Sequence, residues 1–317
     1  MTFIKHVRLT TLAIVLAATA SATALHAQGL LAMAAKIEPR AVEEKDVVSG
    51  KIKLDPAKGY IFVSGSARQF GMFLRVPDET TRPEWEKDRA KAFAKALKSY
   101  RSDLAQWQAN AAQLKEHKMA VPDAPVEPTL ETLQFDPIDL RDQVGFGPQF
   151  VYAKGETVSY MQAVKPGTYI WYGPVLGGAG LPAGGVCTCM GTVRFEVKAG
   201  VVTDVGNWLL AAPEPDEIHR QVIQQANDKR IAAGKKPLPP VERPDIKFGL
   251  PASLKDWPSV QAEFHANGKL NNLFGIMISR LLPVPGVLGY HRDTIVDLRT
   301  GQEIESPTLI SRAKIKK

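Results

Sequence analysis

The sequence predicts a mainly β fold, a β-sandwich carrying one long inserted α-helix and a second, shorter helix, α+β overall. Three observations predict it. Short runs of β-branched and aromatic residues recur along the chain, bounded by Gly and Pro turns, as in sandwiches and barrels. One segment holds apolar residues at alternating spacings of three and four, which a helix gathers on one side. A second, weaker periodic segment ends at a glycine and is followed by four prolines.

In chain order, residues 28–45 are Ala-rich and then charged, and read as a leader. The sandwich is expected over 46–212. Tyr60–Val63 and Met72–Val76 read as strands, punctuated by Ser64-Gly65-Ser66 and Gly71. A helical insertion is expected over 82–118. Thr81 with Glu84 matches a capping box, Pro83 suits the first turn, and Pro122 and Pro125 close the segment. Ala90, Phe93, Leu97, Tyr100, Leu104, Trp107, Ala111 and Leu114 make a heptad stripe, while Lys91, Lys95, Lys98, Asp103 and Lys115 lie off it. Such a stripe needs a cover, either this chain or a protein partner. Its packing seam is Phe93, Leu97, Tyr100, Leu104, Trp107 and Leu114.

Phe150–Tyr152, Thr157–Ala163 and Thr168–Tyr172 read as further strands, with Lys165-Pro166-Gly167 as a turn. Val193, Phe195 and Val197 alternate with Arg194, Glu196 and Lys198, and Lys198-Ala199-Gly200 turns the chain into Val201–Val205. Residues 213–245 read as a helix, with Ile218, Val222 and Ala226 on one face and Gly234 at its end, followed by a Pro-rich linker. Residues 246–311 read as a C-terminal β segment completing the same domain, with a hairpin from Ile295–Leu298 to Glu303-Ile304. A basic tail occupies 312–317.

The chemistry-bearing residues are few. Cys187 and Cys189 are the only cysteines. Buried thiols, a local disulfide and, with Met190, a soft metal site are all open to them. In a continuous strand the two cysteines share a face with Val193, Phe195 and Val197, and Met190 points away, which argues against three converging sulfurs. Gly177-Gly178-Ala179-Gly180 and Gly184-Gly185 are not a phosphate cradle, because no Lys-Ser/Thr pair follows and a strand comes next. They read as a mobile loop, beside which Tyr169, Trp171 and Tyr172 are candidates for an aromatic pocket. No G-x-S-x-G is present, and Ser311-Arg312-Ala313-Lys314 stands in the wrong order for a penicillin-recognising site. Of His117, His219, His265 and His291, none has a partner at metal-ligand spacing, and His291 with Asp293 reads as a surface pair. No catalytic residue, metal or cofactor is assigned.

The first 27 residues set the location. Lys5 and Arg8 precede the apolar run Leu9–Leu25, and Ala22-Thr23-Ala24 and Ala27 offer cleavage sites, the layout of a secretory signal. Periplasmic or envelope location follows as the expectation, with no membrane span after cleavage. The formal net charge is +7. Two of those charges lie in the signal and four in the tail from Ser311 to Lys317, so the body is nearly neutral. That excludes a nucleic-acid-binding face and leaves the tail for weak contact with an anionic membrane surface.

Pro166-Gly167-Thr168-Tyr169, then Val193-Arg194-Phe195-Glu196-Val197-Lys198-Ala199-Gly200-Val201-Val202, then Asp204-Val205-Gly206, carry a further signal. The run resembles that of uncharacterised bacterial envelope proteins with a small prealbumin-like β-sandwich, over about 45 residues. The resemblance implies a fold and no site residues. The expectation is a non-enzymatic binding or structural protein of the envelope. The alternative is a periplasmic hydrolase drawing its base from His219, His265 or His291.

Overall fold

The computed structural model describes residues 40–155, 157–178, 181–210, 217–237 and 247–304. The expected signal peptide, most of the leader, most of the Pro-rich linker and the basic tail lie outside the described residues. The chain divides into two compact units, residues 76–141 and the remainder. The fold is mainly β with one long helix, as expected at the level of class.

In the larger unit, β1 (Arg40–Val42), β2 (Gly59–Gly65), β5 (Ala153–Lys154), β6 (Val158–Val164), β11 (Val202–Asp204) and β12 (Ser259–Gln261) form one sheet. Its order is β1-β6-β2-β11-β12, with β5 also on β6. β3 (Gly71–Arg75), β4 (Gln143–Phe146), β7 (Gly167–Gly173), β10 (Thr192–Val197) and β13 (His265–Asn267) form a second, ordered β13-β10-β7-β3-β4. Ile61, Val63 and Tyr160 of the first sheet share one core with Phe73, Trp171 and Phe195 of the second. The rings of Phe73 and Trp171 lie 5.1 Å apart, and those of Phe73 and Phe195 5.5 Å. Burying each such side chain contributes roughly 1.5–3 kcal/mol.

The first sheet is buried on its other face too. Tyr60, Phe62, Met161 and Val202 pack there with Leu254, under Ile52, Leu54, Trp257 and Val47 of a short helix α1 (Glu44–Val48). This explains why Tyr60–Val63 is a continuous apolar run and not an alternating one, since both of its faces are covered. It also corrects the leader expected over 28–45: Arg40–Val42 pairs with β6 from Arg40↔Ala163 to Val42↔Met161, and α1 begins at Glu44.

Two other expectations change. Phe150–Tyr152 is not a strand, because Phe150 takes φ 53° and stands exposed, and the strand begins at Ala153. The glycine segment expected as a loop is a hairpin, β8 (Val175–Gly178) with β9 (Leu181–Cys187), extended by β14 (Met277–Ile278); Ala179 and Gly180 lie outside the described residues. Gly185, at φ +120°, packs its α-carbon so tightly on the Pro174 carbonyl that no Cβ fits. A last sheet joins β15 (Leu288–His291), β16 (Thr294–Asp297) and β17 (Gln302–Ile304). There Ile295 pairs with Ile304 across the C-terminal hairpin.

Residues 76–141 are a helix and its own return. Helix α2 spans Thr81–Glu116. Its cap differs from the one expected: Asp78 Oδ1 accepts the Thr81 N–H at 3.1 Å, and Thr81 Oγ1 accepts the Asp78 N–H at 3.1 Å. The reciprocal pair is therefore Asp78 with Thr81, and Glu84 instead binds Arg141 at 2.9 Å. The return segment runs back along the helix. Trp107 Nε1–H donates to Pro122 O, Arg89 to Leu130 O, and Trp85 Nε1–H to Asp136 O. Phe93, Leu97, Tyr100, Leu104, Trp107 and Leu114 are all half-buried and Ala111 is buried, while the five off-stripe charges are exposed; Ala90 falls outside the covered stripe. The shorter helix α3 (Glu217–Ala232) ends at Gly234, whose φ of 68° lets its N–H and that of Lys235 cap the last turn. The side chains of Ile218 and Val222 lie outside the described residues.

Candidate ligand-binding cavity

The site grows from β11. Val202 faces the second core, so alternation puts Asp204 on that same side of the sheet. β12 runs parallel to β11 with Val202↔Ser259 and Asp204↔Gln261 in register, which brings Ser259 and Gln261 to the same side. β12 is the edge of its sheet, and its three residues are exposed. After β11 the chain turns at Gly206, φ 70°, whose N–H donates to Asp204 Oδ1 at 2.9 Å. Residues 247–254 return over this edge, and the Gly249 N–H donates to Asp204 Oδ2 at 2.7 Å.

Between this return segment and the sheet edge lies a cavity of about 310 Å³ lined by Asp204, Phe248, Leu250, Leu254, Lys255 and Gln261, among others. That is the lower end of the size range of small-ligand pockets. Asp204 is only 4% exposed. Burial pushes its carboxyl above the usual carboxylate range, and the N–H groups of Gly206 and Gly249 oppose the shift. Among the described residues no cation pairs with it. Behind the cavity, Ser253 Oγ donates to Glu44 Oε1 at 2.6 Å and lies 3.0 Å from Tyr152 Oη, which ties the Ala252–Leu254 turn to α1.

No protein-family model, curated protein or solved structure matches this chain.

The residues singled out in the sequence lie elsewhere. Tyr169, Trp171 and Tyr172 are fully buried. Their rings pack on Phe195, on Phe73 and Phe146, and on Phe274 respectively. Tyr169 Oη–H donates to Lys165 O at 2.6 Å, and Tyr172 Oη accepts the Leu273 N–H at 2.9 Å. Burial pushes the Tyr172 hydroxyl up to about 12. An open aromatic pocket needs a ring face toward solvent, and these rings have none.

Cys187 and Cys189 are joined in a disulfide with Cα atoms 5.1 Å apart. Residues 187–197 are not one strand: β9 stops at Cys187 and the chain turns through Thr188–Gly191, so the thiols meet. Backbone bonds from Leu270 to Cys189, Ser279 to Cys187 and Met190 to Ser279 clamp this turn. Among the described residues no group of three or more His, Cys, Asp or Glu is placed to hold a metal ion.

His265 and His291 lie on the surface, 3.9 Å from Glu263 and 3.7 Å from Glu303, and neither lines the cavity. Asp293 sits in the turn between β15 and β16. The side chain of His219 lies outside the described residues. Sequence reasoning passed over Asp204, although an acid alternating with Val202 in a valine-rich strand is itself a signal, because a strand face that buries a valine buries its neighbour two residues on.

Proposed function

We propose that this is an exported protein of the periplasm or cell envelope, a non-enzymatic β-sandwich of prealbumin-like type that binds a small ligand in the cavity beside Asp204. The observation that carries the reading is a nearly buried carboxylate, held by two backbone N–H groups and no described cation, on the wall of a cavity at an exposed sheet edge. The two facing sheets on one core support the sandwich, although β11 runs parallel to both β2 and β12. The closed Cys187–Cys189 pair suits an oxidising compartment, and the Lys5/Arg8, Leu9–Leu25 and Ala22-Thr23-Ala24 pattern supports export. Among the described residues no helix is long and apolar enough to cross a membrane. The near-neutral body makes nucleic acid an unsuitable partner.

Amide chemical-shift mapping with a mixed small-fragment library tests the binding reading. Perturbed amides should cluster at Asp204, Phe248–Lys255 and Ser259–Gln261; shifts confined to other surfaces would refute it. N-terminal sequencing of protein from the envelope fraction should begin at Leu25 or Gln28, and an intact Met1 recovered from cytosol would refute export.

A further inference from the structure

The cavity's walls differ in kind. Phe248, Leu250 and Leu254 give it apolar sides, whereas Asp204 and Gln261, neighbours in register across β11 and β12, give it a polar floor. Of the charges lining it, Asp204 is buried and Lys255 is exposed. A solvated Lys255 ammonium is screened by water and salt and sets little of the field inside. The buried carboxylate does set it. Its two backbone donors occupy one site on each oxygen, and an ionised carboxylate offers about four. Leaving an ionised group in an apolar surround without a counter-charge is costly, so an entering cation gains what the fold leaves unsatisfied.

We propose that the cavity takes a small protonated amine carried on an apolar body, with the ammonium on the Asp204 carboxylate and the body against Phe248, Leu250 and Leu254. This rests on the reading of the cavity as a binding site and names its ligand class. The amine donates to Asp204 from the open side, and the Gln261 amide oxygen supplies a second acceptor.

Calorimetric titration of the full mature chain with benzylamine and with its uncharged counterpart benzyl alcohol tests this. A charge-assisted hydrogen bond in a desolvated site should make benzylamine bind about tenfold or more tightly than benzyl alcohol. Asp204→Asn should abolish that difference. Because this substitution also removes one of the two backbone hydrogen bonds to Asp204, two changes at exposed Gln261 accompany it. Gln261→Glu sets a second carboxylate beside the first and should tighten benzylamine severalfold without helping benzyl alcohol. Gln261→Trp fills the cavity and should remove both probes. Equal affinity for the two probes, lost together in Gln261→Trp, would overturn the amine assignment and leave the binding site standing. Binding of neither probe would overturn both, as would benzylamine affinity unchanged in Gln261→Trp.

Discussion

Replacing Trp107 by alanine tests how the long helix is covered. The ring is partly buried and its Nε1–H donates to Pro122 O at 2.8 Å, so its cover is the return segment of the same unit. A wholly buried aromatic side chain removes 150–250 Å² from water; partial cover leaves about 100 Å², or about 2.5 kcal/mol. The lost hydrogen bond adds about 1 kcal/mol, and the better helix propensity of alanine returns about 0.5. Trp107→Ala should therefore cost about 3 kcal/mol, at the low end of what a fully buried tryptophan loses. Asp103 is exposed and among the described residues bonds only to Ser99, at 3.4 Å, so Asp103→Ala should shift stability by no more than about 0.5 kcal/mol. Urea unfolding followed by far-ultraviolet circular dichroism reads both. Sedimentation at micromolar concentration should give a monomer, with a loss that does not depend on protein concentration. A Trp107 variant that unfolds like the Asp103 variant would refute the covered stripe, and a wild-type dimer that Trp107→Ala splits into folded monomers would make the cover a second copy.

Other outcomes follow from single sites. Gly173 sits at φ +131° with its α-carbon against the Val186 carbonyl, so Gly173→Ala is strained twice over and should lower stability by more than about 2 kcal/mol in the same assay. The Cys187–Cys189 bridge closes a loop of three residues, so the double alanine variant should lose only about 1.5 kcal/mol by the chain-entropy relation, and metal analysis of purified wild type should find no stoichiometric copper or zinc. Tyr172 and Tyr290 are both raised to about 12 by burial, which means the fold favours their neutral forms. Their contribution to stability is complete below the unfolded value of 10 and is lost as pH rises toward 12, so alkaline denaturation should fall in that window and shift upward in Tyr290→Phe.

The sequence displayed whatever obeys a local period. The helix Thr81–Glu116 follows from its stripe, and β2, β6, β7 and β10 follow from β-branched and aromatic runs between turn residues. Elements whose reason is distant were hidden. Arg40–Val42 has no strand pattern of its own and is extended because β6 offers it a partner. The glycines of 177–185 look like loop residues, yet the hairpin needs Gly185 where its backbone meets the Pro174 carbonyl. The reciprocal Asp78–Thr81 pair was hidden because Thr81 with Glu84 fits the same spacing as Asp78 with Thr81, and only the geometry chooses. The cavity was illegible for a related reason. Asp204, Gly249 and Gln261 are brought together by a parallel strand pair and a returning segment, neither of which leaves a short-range trace.

Whether the buried Asp204 carboxylate takes a positive partner is tested most directly by a carbon-detected NMR titration of its carboxyl carbon. Burial should raise its pKa above the ordinary 3.8 in the free protein. The folded state then binds the proton more tightly than the unfolded one, so this group's contribution to stability is present at low pH and lost as pH rises through the folded value. Saturating benzylamine should reverse the shift, since a neighbouring ammonium favours the ionised form. A raised value that benzylamine lowers is the predicted result. A carboxyl titrating at or below the ordinary value in the free protein, or one that benzylamine leaves unmoved, would contradict the account.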